Sequence, residues 1–175
     1  MPRRADALIP LSWDHHATLM VVRTILRTLA GDSRFGQPCP DRMREMVTHL
    51  WEEKLQGHFD DEESVFGTAA RTTRDDALVE MAARLAHEHA AIAAAVLRLE
   101  RAEPDELPAR LETAANLLDQ HVRWEERTFF PALEQSLPES TLQALGLQLV
   151  SRRTKQGRGS TREGLAVRGE LFPDS

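Results

Sequence analysis

Two stretches of the chain, "HFDDEE" from His58 and "HVRWEE" from His121, share the pattern His-x-x-x-Glu-Glu. An imidazole and a carboxylate four residues apart lie on one face of a helix, separated by about 6 Å along its axis. Nitrogen and carboxylate donors without thiolate suit iron, and zinc or manganese could take the same set. Two such pairs on facing helices can surround two metal ions about 3.5–4 Å apart. Each helix then gives one imidazole as a terminal ligand and one carboxylate able to bridge. A single pair at this spacing says little, because 28 of the 175 residues are acidic. His49 and Glu53 form a third pair, but His49 falls on the face opposite His58, where solvent is expected.

Apolar stripes decide which histidines face inward. Around His58 the residues stepping by three or four are Val47, Trp51, Leu55, His58, Glu62 and Val65. Around His121 they are Leu111, Ala114, Leu118, His121, Glu125 and Phe129. A third stripe, Leu78, Leu85, His89, Ile92, Val96 and Leu99, carries His89, while His87 points the other way. An ionised carboxylate inside a core must be paired or bound to a metal. Two inward His-Glu pairs and an inward histidine on a third helix therefore read as a metal centre. The first segment, "DHHATLM", offers two candidates. His15 shares a stripe with Leu8, Leu11, Leu19, Val22 and Leu26, and His16 shares one with Leu19, Val22 and Leu26. Periodicity leans slightly to His15.

The elements that must hold these residues are four long helical patterns, at about 12–30, 41–70, 74–103 and 107–136, with a shorter fifth over 138–150. Ser12 and Asp41 stand as candidate N-caps, and "GDSRFGQPCP" and "EPDELP" punctuate the ends. Helices of comparable length on short connections predict an all-α, up-down-up-down four-helix bundle over residues 1–150. The last stretch, 151–175, begins "SRRTKQGRGSTREG" and reads as a flexible basic tail.

Composition excludes several functions. A net charge of −6 argues against a nucleic-acid partner. Cys39 is the only cysteine, so no internal disulfide framework exists and a reducing compartment is the simplest setting. The opening residues lack the apolar region of a signal peptide, and no apolar run approaches the roughly 20 residues that span a bilayer. These features predict a cytoplasmic protein without a membrane partner. The absence of tyrosine rules out a tyrosyl-radical mechanism.

"DHHATL", "HFDDEE", "EHAAI" and "HVRWEERTFFP" appear in an order and spacing that resembles the hemerythrin-like, or HHE cation-binding, family over about residues 8–137. The resemblance implies a four-helix bundle around a non-haem centre of two iron ions. Its ligands would be His58, Glu62, His89, His121 and Glu125 with one histidine from the first helix, and the two glutamates would bridge. In the family the first ligand is followed at +3 by an apolar residue. Leu19 meets that rule for His16, whereas Thr18 follows His15, so the resemblance favours His16 with His15 as the alternative. Classical oxygen carriers of the family place two histidines one turn apart in the third helix. Here Leu85 and Ala93 flank His89 instead, which implies a more open centre and counts against simple oxygen carriage.

The function so implied is binding of O2, NO or a related small oxidant by a sensor, scavenger or iron handler. The alternative is an oxidoreductase or a protein that repairs iron centres. Ferritin-like centres need Glu-x-x-His, and no histidine here has a glutamate three residues before it. The HExxH signature of zinc hydrolases is also absent. A final expectation concerns the metal-free state. Two carboxylates close together in a core should repel, with raised pKa values. Replacing both with Gln should then stabilise the metal-free protein at pH 7.

Overall fold

The computed structural model describes residues 4–158, and these are helical with no strand among them. α1 spans Ile9–Leu29, α2 spans 40–71, α3 spans Asp76–Glu100, α4 spans 107–136 and α5 spans Glu139–Lys155. α1 starts before the expected Ser12 cap. A 3-10 turn over Asp6–Leu8 feeds it, and Pro10 sits in its first turn, where a missing N–H costs nothing. Pro40 and Pro108 begin α2 and α4 in the same way. α1 ends at a glycine with positive φ, Gly31, whose left-handed backbone stops the helix. Asp75 caps α3, its carboxylate accepting from the main-chain N–H of Ala77 and Leu78.

α4 packs along α1 and α3, and α2 also lies against α3 and α4. The apolar stripes read from the sequence face inward and meet in two clusters. One gathers Val22, Ile25, Val47, Leu55, Ile92, Val96, Leu99, Leu111 and Leu118. The other gathers Leu8, Leu11, Val65, Phe66, Leu78, Leu85, Phe129, Phe130 and Leu133. Between them lies a belt of buried polar side chains.

α2 and α4 are not uniform. Each opens into a π-helical turn at a glutamate of the motif, over Glu62–Gly67 in α2 and Glu125–Phe129 in α4. Such wider turns recur at functional sites because one extra residue per turn re-aims the side chains around it.

The fifth helix is longer than expected. It runs to Lys155 rather than ending near 150, so residues 151–155 are helix and not tail. Its end is held by charge. Arg153 is buried, and Arg158 reaches the carboxylate of Asp61 at 2.8 Å. The remainder of the expected tail, 159–175, lies outside the described residues.

Candidate metal centre

The belt between the clusters contains His15, His58, His89, His121, Glu62 and Glu125, none more than 3% exposed. They come from four helices, α1, α2, α3 and α4 respectively, with Glu62 on α2 and Glu125 on α4. The side chains form two groups, His15-His58-Glu62-Glu125 and His89-His121-Glu62-Glu125, and within each group the donor atoms lie within 4.8 Å of one another. Both carboxylates belong to both groups. Glu62 turns Oε1 to His58 Nε2 at 3.1 Å and Oε2 to His89 Nε2 at 3.4 Å. Glu125 Oε2 lies 2.9 Å from His15 Nε2 and 3.4 Å from His121 Nε2.

His16, which the resemblance favoured, is exposed, whereas the alternative, His15, is buried and takes the first-helix place in the cluster. The rule of an apolar residue at +3 misled because Thr18 is buried all the same. Its hydroxyl donates to the Asp14 carbonyl at 2.9 Å, which makes it acceptable in the core. Periodicity, through Leu11, Val22 and Ile25, set the register. His87 and the His49-Glu53 pair lie on exposed faces, as expected.

A ring of outer carboxylates surrounds the four imidazoles, and reading motifs alone missed it. Glu126 meets Nδ1 of His15 at 2.7 Å, and Glu63 meets Nδ1 of His89 at 2.8 Å. Asp14 meets Nδ1 of His58 at 3.3 Å, and Glu88 meets Nδ1 of His121 at 2.8 Å. An ionised carboxylate only accepts, so each Nδ1 carries the proton and donates it outward. This is the usual way a protein orients a metal-binding histidine and raises its basicity. The ring explains the doubled glutamate of each motif. The first glutamate points into the centre, and the second reaches across to a histidine of another helix.

The arrangement has an approximate two-fold symmetry. Asp14-His15 on α1 corresponds to Glu88-His89 on α3, and His58…Glu62-Glu63 on α2 to His121…Glu125-Glu126 on α4. The acidic residue before the histidine of α1 or α3 serves the histidine of α2 or α4. Aromatic rings close the sides. Phe59 stacks on His89 with centroids 3.8 Å apart, and Phe130 stacks on His15 at 5.3 Å.

The donor set fits a pair of cations. With every Nδ1–H committed outward, a neutral imidazole presents the lone pair of Nε2 to the centre. His15 and His58 then bring two Nε2 atoms to 3.0 Å, and His89 and His121 bring two to 3.1 Å. Lone pairs so close repel unless a positive charge stands beside them. The four oxygens of Glu62 and Glu125 are buried without a hydrogen bond of good geometry, although imidazole nitrogens surround them. Nitrogens and oxygens converge on common points rather than pairing with each other. That is how ligands of an ion are disposed.

In the metal-free protein, protons must supply the positive charge. Burial pushes His58 down, but the Glu62 and Asp14 carboxylates outweigh it and hold its pKa up at about 9. Burial opposes His15 in the same way, and Glu125 and Glu126 raise it well above the usual imidazole value. His89 is also raised, against its own burial, by Glu62 and Glu125. Glu62 is the counterpart. Burial favours its neutral form, yet His58, His15 and His89 hold it well below the ordinary carboxylate range. The expectation that carboxylate repulsion would raise Glu62 is therefore reversed, because His58, His15 and His89 act on it together and outweigh its burial.

Replacing His15 with Ala should lower the metal content of reconstituted protein by about half, while His16→Ala leaves it unchanged. Elemental analysis of the two variants decides the register, and an equal loss in both would contradict the placement of His15.

No helix among the described residues is long and apolar enough to cross a membrane. No curated protein and no solved structure gives a significant match to the chain. A match does come from the hemerythrin HHE cation-binding domain, over residues 11–137, and it takes in every residue of the buried centre. Matched over most of its length and carrying the histidines and glutamates on four helices, the chain belongs to the hemerythrin HHE cation-binding domain family.

Proposed function

We propose that the protein holds two iron ions between four up-down-up-down helices and uses them to bind O2, NO or a related small oxidant. The ligands would be His15 and His58 at one position and His89 and His121 at the other, with Glu62 and Glu125 shared between them. The observation that carries this reading is the sharing of both carboxylates by two histidine pairs. Zinc or manganese satisfies the same donors. Iron is preferred because imidazole with carboxylate is the usual donor set of non-haem iron chemistry.

Each position receives two imidazoles and two carboxylate oxygens. An ion held by these donors would keep room for small exogenous ligands. When bound, iron supplies the ability to take a diatomic molecule and to change oxidation state. The chain's own residues do the rest. The outer carboxylates orient the imidazoles, the two shared glutamates would tie the positions together, and Phe59 and Phe130 cover the faces of His89 and His15. Leu85, one turn before His89, is fully buried and adds no donor where classical oxygen carriers have a histidine. That favours sensing, scavenging or iron handling over simple oxygen carriage.

Anaerobic reconstitution with ferrous iron tests the reading. About two iron ions per chain and an optical or paramagnetic change on adding NO or O2 are the expected results. A chain that takes up no iron would overturn it. Turnover of an oxidant with a reductant would move the assignment to an oxidoreductase acting through the same centre.

A further inference from the structure

The two halves of the centre match in their ligands but not in the charges behind them. Around the His15–His58 position both outer carboxylates are neutralised. Asp14 receives Lys54 Nζ on Oδ1 at 3.1 Å and Arg153 Nη2 on Oδ2 at 2.8 Å. Glu126 receives Arg4 Nη2 at 2.8 Å. Around the His89–His121 position only Glu88 is paired, by Arg84 Nε at 2.6 Å, and that guanidinium side chain is 52% exposed and screened by solvent. Glu63 pairs with no Lys or Arg among the described residues, and Arg71 touches only its main-chain carbonyl.

The inequality reaches the ligand itself. Arg153 and His58 compete for one oxygen of Asp14, and the His58 contact is the longest of the four outer bonds, at 3.3 Å against 2.7–2.8 Å. At Glu88 the arginine and His121 take different oxygens. A carboxylate already held by two cations is a poorer acceptor, so it lends the imidazole less basicity. The cations also repel a metal ion directly. Two anions offset part of this. Asp61 shares Arg153 at 2.8 Å, and Glu134 shares Arg4 at 3.0 Å. Arg158 also ends on Asp61, at 2.8 Å, and so returns Arg153 largely to Asp14.

We propose that the His89–His121 position binds metal first and tightly, whereas Arg153, Lys54 and Arg4 make the His15–His58 position a weak, exchangeable one. This rests on the two-metal reading above. It assigns α5 a part in the centre, because Arg153 is the buried residue by which that helix touches Asp14. Arg153 and Lys54 are positioning residues: they touch Asp14 and act on the site through it and His58 and through their own charge.

Single-position variants test the idea without interference between two bound ions. His58→Ala keeps the His89–His121 position with both bridging glutamates, and His121→Ala keeps the other. Titration with Mn2+ alone, followed by its paramagnetic signal, should show His58→Ala binding about 100-fold tighter than His121→Ala. That gap corresponds to about tenfold for each uncompensated charge at an effective dielectric near 20. In the His121→Ala background, Lys54→Gln and Arg153→Gln should each tighten binding about tenfold. In the His58→Ala background the same changes should tighten binding by clearly less, and Arg84→Gln should tighten it. A purely structural role predicts loosening in every case.

Equal affinities in the two single-position variants, or the reverse order, would overturn the proposal. Should His121→Ala not fold, Lys54→Gln in the otherwise intact chain must tighten the weaker of the two binding steps, and no change there also overturns it. Intact protein that binds no Mn2+ and no Fe2+ refutes the two-metal reading itself, a different result from two ions held equally.

Discussion

Glu62→Gln with Glu125→Gln should abolish iron binding, with affinity falling by more than about a thousandfold. Losing an outer hydrogen-bond partner of a metal ligand costs roughly 10–100-fold. Here the change reaches the ions directly and at both positions, because each carboxylate serves both histidine pairs. Gln keeps the size and removes the charge, so the helices need not move. Even a single Glu125→Gln should weaken both ions, whereas a histidine change weakens one. Stoichiometry measured during iron titration separates these outcomes. A double variant that still takes up two ions would show that the carboxylates do not bridge.

Metal-free protein should lose stability as the pH rises from about 6.5 to about 9. The sign follows from His58, whose folded pKa of about 9 lies above the value near 6.5 expected of an unfolded chain. A group with a raised folded pKa stabilises the native state fully below its unfolded pKa. That contribution disappears as pH climbs through the folded one. For His58 the difference is on the order of 3 kcal/mol, and His15 and His89 act in the same direction. Glu62, depressed, contributes above its unfolded value and fails only in acid. Metal-free protein is therefore most stable between about pH 4.5 and 6.5.

Metal replaces those protons, so iron affinity should rise over the same interval and the loaded protein should not share the alkaline loss. The double Gln variant leaves imidazolium ions buried without their partners. Its metal-free form should melt below metal-free wild type at pH 7, opposite to what the sequence suggested. Thermal melts of both chains across pH 5.5–9.5, with and without iron, check all of this. Metal-free stability that grows toward pH 9 would contradict the assignment of protons to the centre.

Much of the centre was legible because burying a charged side chain is rare enough to stand out in an apolar stripe. His58, Glu62, His89, His121 and Glu125 each fall where a core residue belongs. The first helix was harder. His15 and His16 both fit a stripe, and the +3 rule assumed that a threonine would avoid the core. A better signal lay beside them: Asp14 precedes His15 as Glu88 precedes His89, and each of these acids serves a histidine of another helix. Outer carboxylates leave no periodic trace, since they are half-exposed or reach across between helices. The inward turn of α5 was invisible for a different reason. Its basic end looks like solvated tail until Asp14 and Asp61, distant in sequence, are seen to need counter-ions.

The crossing of carboxylates between the two halves bears on how the protein comes apart. In the proposed two-ion reading, α1 and α2 supply His15, His58 and Glu62, but their ion would also need Glu125 from α4. α3 and α4 supply His89, His121 and Glu125, and their ion would need Glu62. Neither half would keep a fully ligated ion once the other had melted. Each ion would then be a rivet through both halves, and partial unfolding of one half would release metal from the other. Demetallation and global unfolding would belong to a single cooperative event. Hydrogen exchange in the loaded protein should report all four long helices opening together, where a centre made within one hairpin would let the other open first.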